Sequence, residues 1–220
     1  MRGSRLIRPP LPQAGDREGY HGDAHTLYWL SGLADQVFLS GLTRSASEDL
    51  TILDFGCASG RVLLHFGATP GGGLRALAVD VNRRNIAWMR EHLDQPSLEL
   101  LRTTYYPPLP LETGWVDLIY ALSVFTHIDE FEEAWLAEIQ RTLRRGGRAF
   151  LTYHSERTWS LLADPSVGLD QVLLAGEYVL DSTGEIMTAG SLGQRMPRER
   201  IVLLPTTMAY QYLNSFHAND

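Results

Sequence analysis

Between Leu50 and His154, short apolar runs rich in β-forming residues alternate with segments whose apolar residues recur at helical spacing. The runs are Leu50 to Phe55, Leu74 to Val81, Leu98 to Arg102, Val116 to Ser123 and Arg148 to His154; helical stretches lie at Arg61 to Phe66, Ile86 to Leu93 and Glu130 to Leu143. This alternation leaves few folds open. Parallel strands need crossovers, the crossovers are right-handed, and the helices must cover the sheet. The expected fold is α/β, a doubly wound, mostly parallel sheet with helices on both faces. Asn82 stands as the N-cap of one helix, and Pro96 closes it.

At 220 residues the chain is long enough for one domain with a sizeable core, or one domain with a small appendage. It divides into an N-terminal arm and helix (residues 1–45), a core (46–155) and a C-terminal extension (156–220). The arm is rich in Arg, Pro and Gly and reads as irregular chain or as a lid. Leu27, Leu30, Leu33, Ala34, Val37 and Phe38 then predict an amphipathic helix with that stripe turned to the core. Tyr20, His21, Tyr28 and Trp29 either cover a ligand or pack on the sheet. Beyond Ser155 the pattern loosens. Glu177 to Asp181 and Glu185 to Ala189 flank Ser182-Thr183-Gly184 as a hairpin, and Ile201 to Leu204 suggests another strand.

The balance of 26 acidic against 19 basic residues, with no long basic run, disfavours nucleic acid and anionic lipid as partners and favours a small molecule. A single cysteine, Cys57, excludes an internal disulfide and a multi-cysteine zinc site. His21, Asp23 and His25 sit in a polar arm without a third cluster, so no metal is expected. No apolar stretch reaches the eighteen or so residues that cross a bilayer, and no signal peptide is apparent; the expected location is the cytoplasm.

In an open parallel sheet, ligands bind beyond the carboxyl ends of the strands, and the first strand-to-helix turn is the usual place. Here that turn is Asp54-Phe-Gly56-Cys57-Ala58-Ser-Gly60, and Asp80 ends the second strand, where a carboxylate can accept both hydroxyl protons of a ribose. A nucleoside ligand follows. Dinucleotide folds use Gly-x-Gly-x-x-Gly to seat a pyrophosphate; this turn has two glycines four apart, with Asp54 ahead of them. An acid there repels a pyrophosphate and suits an amino group.

At these residues the chain resembles the Rossmann-like (class I) S-adenosylmethionine-dependent methyltransferases, of the small-molecule type. Their first motif, Asp/Glu-x-Gly-x-Gly-x-Gly, is matched at Asp54, Gly56 and Gly60, with Ala58 where the family has its middle Gly. Asp80, the run Asp117 to His127 and the stretch Leu143 to Arg148 resemble its later motifs in the same order. The resemblance implies S-adenosyl-L-methionine as cofactor. It places Gly56, Cys57, Ala58 and Gly60 along the methionine end, Asp80 on the ribose, Val81 beside the adenine, Leu122 and Ser123 bordering the sulfonium, and Tyr105 or a backbone N–H on the far side of the adenine. It also implies a seven-stranded sheet, whose closing pair is missing or irregular here. An open edge would then need a partner, such as a second copy.

Methyl transfer is an in-line displacement at an activated carbon, so the protein aligns a nucleophile and, where needed, takes its proton. His127, past the fourth strand, and His154, at the end of the fifth, are the candidate bases; the alternative is that each braces a nearby loop. The expected function is transfer of a methyl group to an oxygen or nitrogen of a small molecule of the saccharide or secondary-metabolite class. Alternatives are a non-catalytic cofactor-binding sensor or assembly subunit and, more remotely, a nicotinamide-dependent reductase.

Overall fold

The structure is a computed structural model that describes residues 10–43, 49–66, 73–93, 96–162, 164, 166–168, 178–180, 184–187, 200–205 and 214–217. The basic start of the arm, the turn at 181–183 and the ends of the expected hairpin at 177 and 188–189 lie outside these residues. The chain forms two compact units: residues 1–121 with 135–150, and residues 122–134 with 151–220.

The first unit holds a five-stranded sheet in the order β3-β2-β1-β4-β5, built from β1 (Leu50–Phe55), β2 (Leu74–Asp80), β3 (Leu98–Arg102), β4 (Val116–Ala121) and β5 (Leu143–Leu151). The pairings of β1 with β2, β2 with β3 and β1 with β4 are parallel. The strand order reverses between β1 and β4, which is where an open α/β sheet makes its ligand crevice. The middle strands read as unbroken apolar runs because parallel strands are covered on both faces. Ile52, Leu53, Leu77, Val79, Ile119 and Tyr120 are accordingly buried. Helix α3 (Arg83–His92) buries Ile86 and Met89, and its N-cap is Asn82, whose side chain accepts the Arg84 N–H at 3.0 Å. Helix α4 (Glu132–Thr142) packs Trp135 on Phe55, with ring centroids 4.9 Å apart.

Two expectations are corrected here. Helix α1 (His25–Ser40) forms where the periodicity puts it, but it buries Tyr28, Gly32 and Leu39. Leu27, Leu30, Val37 and Phe38 of the apolar stripe are about half exposed. The reason is Gly32: a Cβ there would lie 2.2 Å from the Arg61 carbonyl oxygen, so the helix approaches the turn before α2 (Leu63–Phe66) along its glycine face. The fifth strand starts earlier and ends sooner than expected. Gly146 and Gly147 lie within β5, and a Cβ at Gly147 would meet the Asp117 carbonyl at 3.1 Å. Gly147 therefore permits close backbone approach within the strand, whereas Gly146 has open space around it and supplies a left-handed φ of 79°.

The second unit contains a sheet in the order β6-β10-β9-β7-β8. Its strands are β6 (His154–Ser155), β7 (Tyr178–Leu180), β8 (Ile186–Met187), β9 (Ile201–Pro205) and β10 (Asn214–His217). β7 and β8 pair antiparallel, as do β9 and β10. Its core centres on Trp159 of α5 (Glu156–Leu162), set edge-on to Phe216 at 4.8 Å, both fully buried. Arg200 holds the 122–134 segment in this unit through the carbonyls of Ile128 and Asp129 (2.7 and 3.0 Å) and the Glu132 carboxylate (2.7 Å). The two last strands thus belong to this separate sheet, and among the described residues the first sheet has five strands.

Candidate cofactor site

The turn after β1 is built by backbone bonds before any ligand enters. Gly56 and Cys57 N–H both donate to the Val79 carbonyl (2.8 and 3.1 Å), tying the turn to the end of β2. Gly56, Ala58 and Gly60 all take positive φ (78°, 46° and 77°). Ala58 therefore keeps the conformation that a glycine would take, although an L residue pays about 1–2 kcal/mol for it. At Gly60 the left-handed φ favours glycine, and a Cβ there would press on the ends of the Leu93 and Met89 side chains at 2.9 Å.

Asp80 closes the other side of the turn. One carboxylate oxygen accepts the Ala58 N–H at 2.8 Å, and the other accepts the Asn82 N–H at 2.6 Å. Each oxygen keeps lone-pair capacity for a further donor. Burial raises its pKa against the lowering effect of these backbone bonds. Asp54 lies inside, buried, and its Oδ2 accepts the Tyr120 hydroxyl at 2.9 Å from the paired position of β4. Burial drives the Asp54 pKa up to about 7; the Tyr120 bond lowers it, and the charge of Asp80 raises it again. The Cys57 thiol is buried against Met89 Sδ at 3.7 Å, and burial pushes its pKa well up, so it is a wall group and not a nucleophile.

Val81 follows Asp80 at half burial, and its carbonyl accepts Arg102 Nε at 3.4 Å. Tyr105 follows β3 with its ring exposed, and its carbonyl accepts Trp135 Nε1 at 3.1 Å. Leu122, Ser123, His127 and His154 belong to the second unit. Ser123 takes positive φ (58°) and its N–H donates to Thr152 Oγ1 at 2.7 Å. His127 is exposed in the bend before α4. His154 is not the end of β5 as the sequence suggested: β5 stops at Leu151, and His154 opens β6 with its ring stacked on Phe216 at 4.8 Å. That packing suits the bracing role.

Several residues at the turn escape sequence reasoning. Arg61 is buried, pairs with Asp35 (2.7 Å), meets Ser31 Oγ (3.1 Å) and lies 4.4 Å over the Tyr20 ring. Arg17 is fully buried under the arm, 4.6 Å over Tyr28, so Tyr28 is core and Tyr20 is arm. Only the β1–β4 register reveals Tyr120, and the others are brought in by tertiary folding. A shallow depression lined by Leu50, Asp117, Arg144 and Arg148 lies at the opposite, amino ends of the strands and has no part in this arrangement. Among the described residues, no group of three or more His, Cys, Asp or Glu is placed to hold a metal, and no helix is long and apolar enough to cross a membrane.

Residues 53–151 match the model of a family described as a methyltransferase domain. Among solved structures, the chain is similar to a chain of the complex between the Haloferax volcanii Trm112 methyltransferase activator and a protein provisionally described as a methyltransferase, at TM-score 0.52 and 16% identity over 89% of this chain and 79% of that one. It is similar to a Methanococcus maripaludis protein provisionally described as an S-adenosyl-L-methionine-dependent methyltransferase, at TM-score 0.51 and 12% identity over 75% and 74%. A third likeness is to a SAM-dependent methyltransferase from Aquifex aeolicus, at TM-score 0.45 and 22% identity over 56% of this chain; the match spans 63% of the Aquifex protein's length.

Proposed function

We propose that a chain carrying a methyltransferase domain over residues 53–151 is an S-adenosyl-L-methionine-dependent methyltransferase acting on an oxygen or nitrogen nucleophile of a small molecule, of the saccharide or secondary-metabolite class. The observation that carries this reading is the pairing of a left-handed Gly56-Ala58-Gly60 turn with two buried carboxylates, Asp54 and Asp80. The donor set suits this cofactor: a pyrophosphate would meet two acids, whereas an ammonium and a ribose diol find acceptors. When bound, the cofactor supplies a methyl group activated by a positive sulfur.

The chain's own residues bind and orient. In this reading Asp80 accepts the ribose hydroxyls while the Ala58 and Asn82 N–H groups hold its carboxylate in place. Asp54, aimed by Tyr120, receives the ammonium of the amino-acid end. Gly56, Cys57, Ala58 and Gly60 form the wall of that end, and Val81 and Tyr105 flank the adenine. Leu122 and Ser123 border the reacting carbon, and His127, with His154 second, is the group that takes the acceptor's proton. Residues 1–45 serve as lid or cap on the core, and the protein works in the cytoplasm.

Calorimetric titration of the full chain with S-adenosylmethionine, S-adenosylhomocysteine and NAD tests the reading. Binding of the first two and not the third is expected. Absence of binding by either sulfur compound refutes it, and binding without turnover on a broad panel of acceptors assigns the chain to the non-catalytic cofactor binders.

A further inference from the structure

The arm ahead of α1 is a built element. The Arg17 guanidinium donates to the Pro12 carbonyl through Nε and Nη2 (3.0 and 2.8 Å), donates to the Gly22 carbonyl through Nη1 (2.6 Å) and meets His25 Nδ1. One buried cation thereby closes the loop from Pro12 to His25 into a strap. The outer edge of the strap meets the two segments that frame the nucleoside site. The Asp16 carbonyl accepts from Ser59 in the turn, and its carboxylate pairs with Arg84 at 2.7 Å. Glu18 Oε1 accepts from Asn85 Nδ2 at 2.7 Å and from Asn82 Nδ2 at 3.0 Å.

Glu18 is the residue this geometry singles out. It takes a left-handed φ of 49° that a non-glycine residue adopts only when its surroundings impose it. Asn82 is bonded from both sides, its side chain giving to Glu18 and its backbone N–H to Asp80, so one residue sets the two carboxylates next to each other. The Glu18 charge acts on Asp80 directly, adding to the upward pull of burial on its pKa. Both asparagine amides go to the same Glu18 oxygen, and Oε2 accepts nothing among the described residues.

We propose that Glu18 is a specificity-determining residue of the nucleoside site, a second carboxylate set beside Asp80 by Asn82 and Asn85 that selects an unmodified ribose and rejects one carrying a phosphate. The inference rests on the nucleoside reading of the turn. A ribose diol offers two O–H donors to two carboxylates, whereas a 2′-phosphate placed there meets two negative charges, while the guanidiniums at this edge are engaged elsewhere, Arg84 by the Asp16 carboxylate and Arg102 by the Val81 carbonyl.

The test is calorimetry of the full chain and of Glu18→Gln and Glu18→Ala with adenosine, adenosine 2′-phosphate and S-adenosylhomocysteine, alongside thermal unfolding. Loss of one charge-assisted bond should weaken adenosine and S-adenosylhomocysteine by the same factor, roughly tenfold or more in Glu18→Ala. In Glu18→Gln the preference for adenosine over its 2′-phosphate should fall about tenfold, with the unfolding midpoint unchanged. Unchanged affinities, an unchanged preference, or a loss that merely follows a lowered midpoint would overturn the role of Glu18 while leaving the cofactor reading intact. Failure of the parent chain to bind any of the three ligands would overturn both.

Discussion

Ligand binding at Asp54 should be readable as a pH effect. Burial lifts the pKa of this carboxyl from 3.8 to about 7; the Tyr120 hydroxyl bond draws it down and the Asp80 charge raises it. The folded protein therefore holds the Asp54 proton more tightly than the unfolded chain does. For the free protein this contribution to stability is fully present below pH 3.8, declines as the pH rises to about 7 and is level above that, a change of about 4 kcal/mol across the window. An ammonium on the ligand needs the ionised carboxylate, so binding below pH 7 must expel the proton. Affinity for S-adenosylhomocysteine should then climb about tenfold per pH unit up to pH 7 and flatten beyond, roughly a hundredfold from pH 5 to pH 8. Calorimetry in two buffers of different protonation enthalpy should count about one proton released at pH 5.5 and none at pH 8. Asp80, whose pKa is also raised by burial, adds to the slope, and Asp54→Asn isolates its own share. A flat affinity between pH 5 and 8, or the same slope in Asp54→Asn, refutes the assignment of Asp54 to the ammonium.

Asp80→Ala should cost affinity of about 1.5–3 kcal/mol per lost charge-assisted bond and should lower the urea midpoint as well, since the Ala58 and Asn82 N–H groups lose their acceptor; Asp80→Asn should be milder on both counts. Ala58→Gly should raise stability by up to about 1 kcal/mol, because relief of the left-handed strain exceeds the entropy of the added glycine; equilibrium unfolding checks the sign. His127→Ala should lower turnover at saturating cofactor, with His154→Ala acting mainly on stability through its stacking on Phe216. Parental turnover in both histidine variants would leave catalysis to alignment of an already reactive acceptor.

The central sheet was legible because every determinant of it is local: apolar runs of strand length, a glycine turn, an asparagine cap. Asp54 and Asp80 stood out by their place at strand ends, and the structure locks Asp80 with backbone bonds that follow from that place. What the sequence did not disclose depends on register or on distant closure. Tyr120 faces Asp54 only because β1 and β4 pair with those two residues opposed. Arg17 and Glu18 sit in a polar, proline-rich stretch whose composition suggests irregular chain, and a buried guanidinium turns that stretch into a strap. Periodicity identified α1 but assigned its buried face wrongly, since a glycine can mark the buried face where large apolar residues do not. The separate sheet of the second unit is assembled from strands of two to five residues, too short to display a period.

The inverted seating of α1 bears on how the protein breathes. A helix that buries only Tyr28, Gly32 and Leu39 draws little cohesion from apolar packing, and two polar ties, Asp35 and Ser31, fasten it to Arg61 directly after Gly60. Its opening is therefore one cooperative event with the opening of the turn, a foldon whose free energy lies below that of global unfolding. A ligand that requires the closed turn raises that opening energy by mass action, about 2.7 kcal/mol at a hundredfold excess over Kd. The amide protons of α1 then exchange about a hundredfold more slowly, so the helix acts as a reporter of occupancy at the turn.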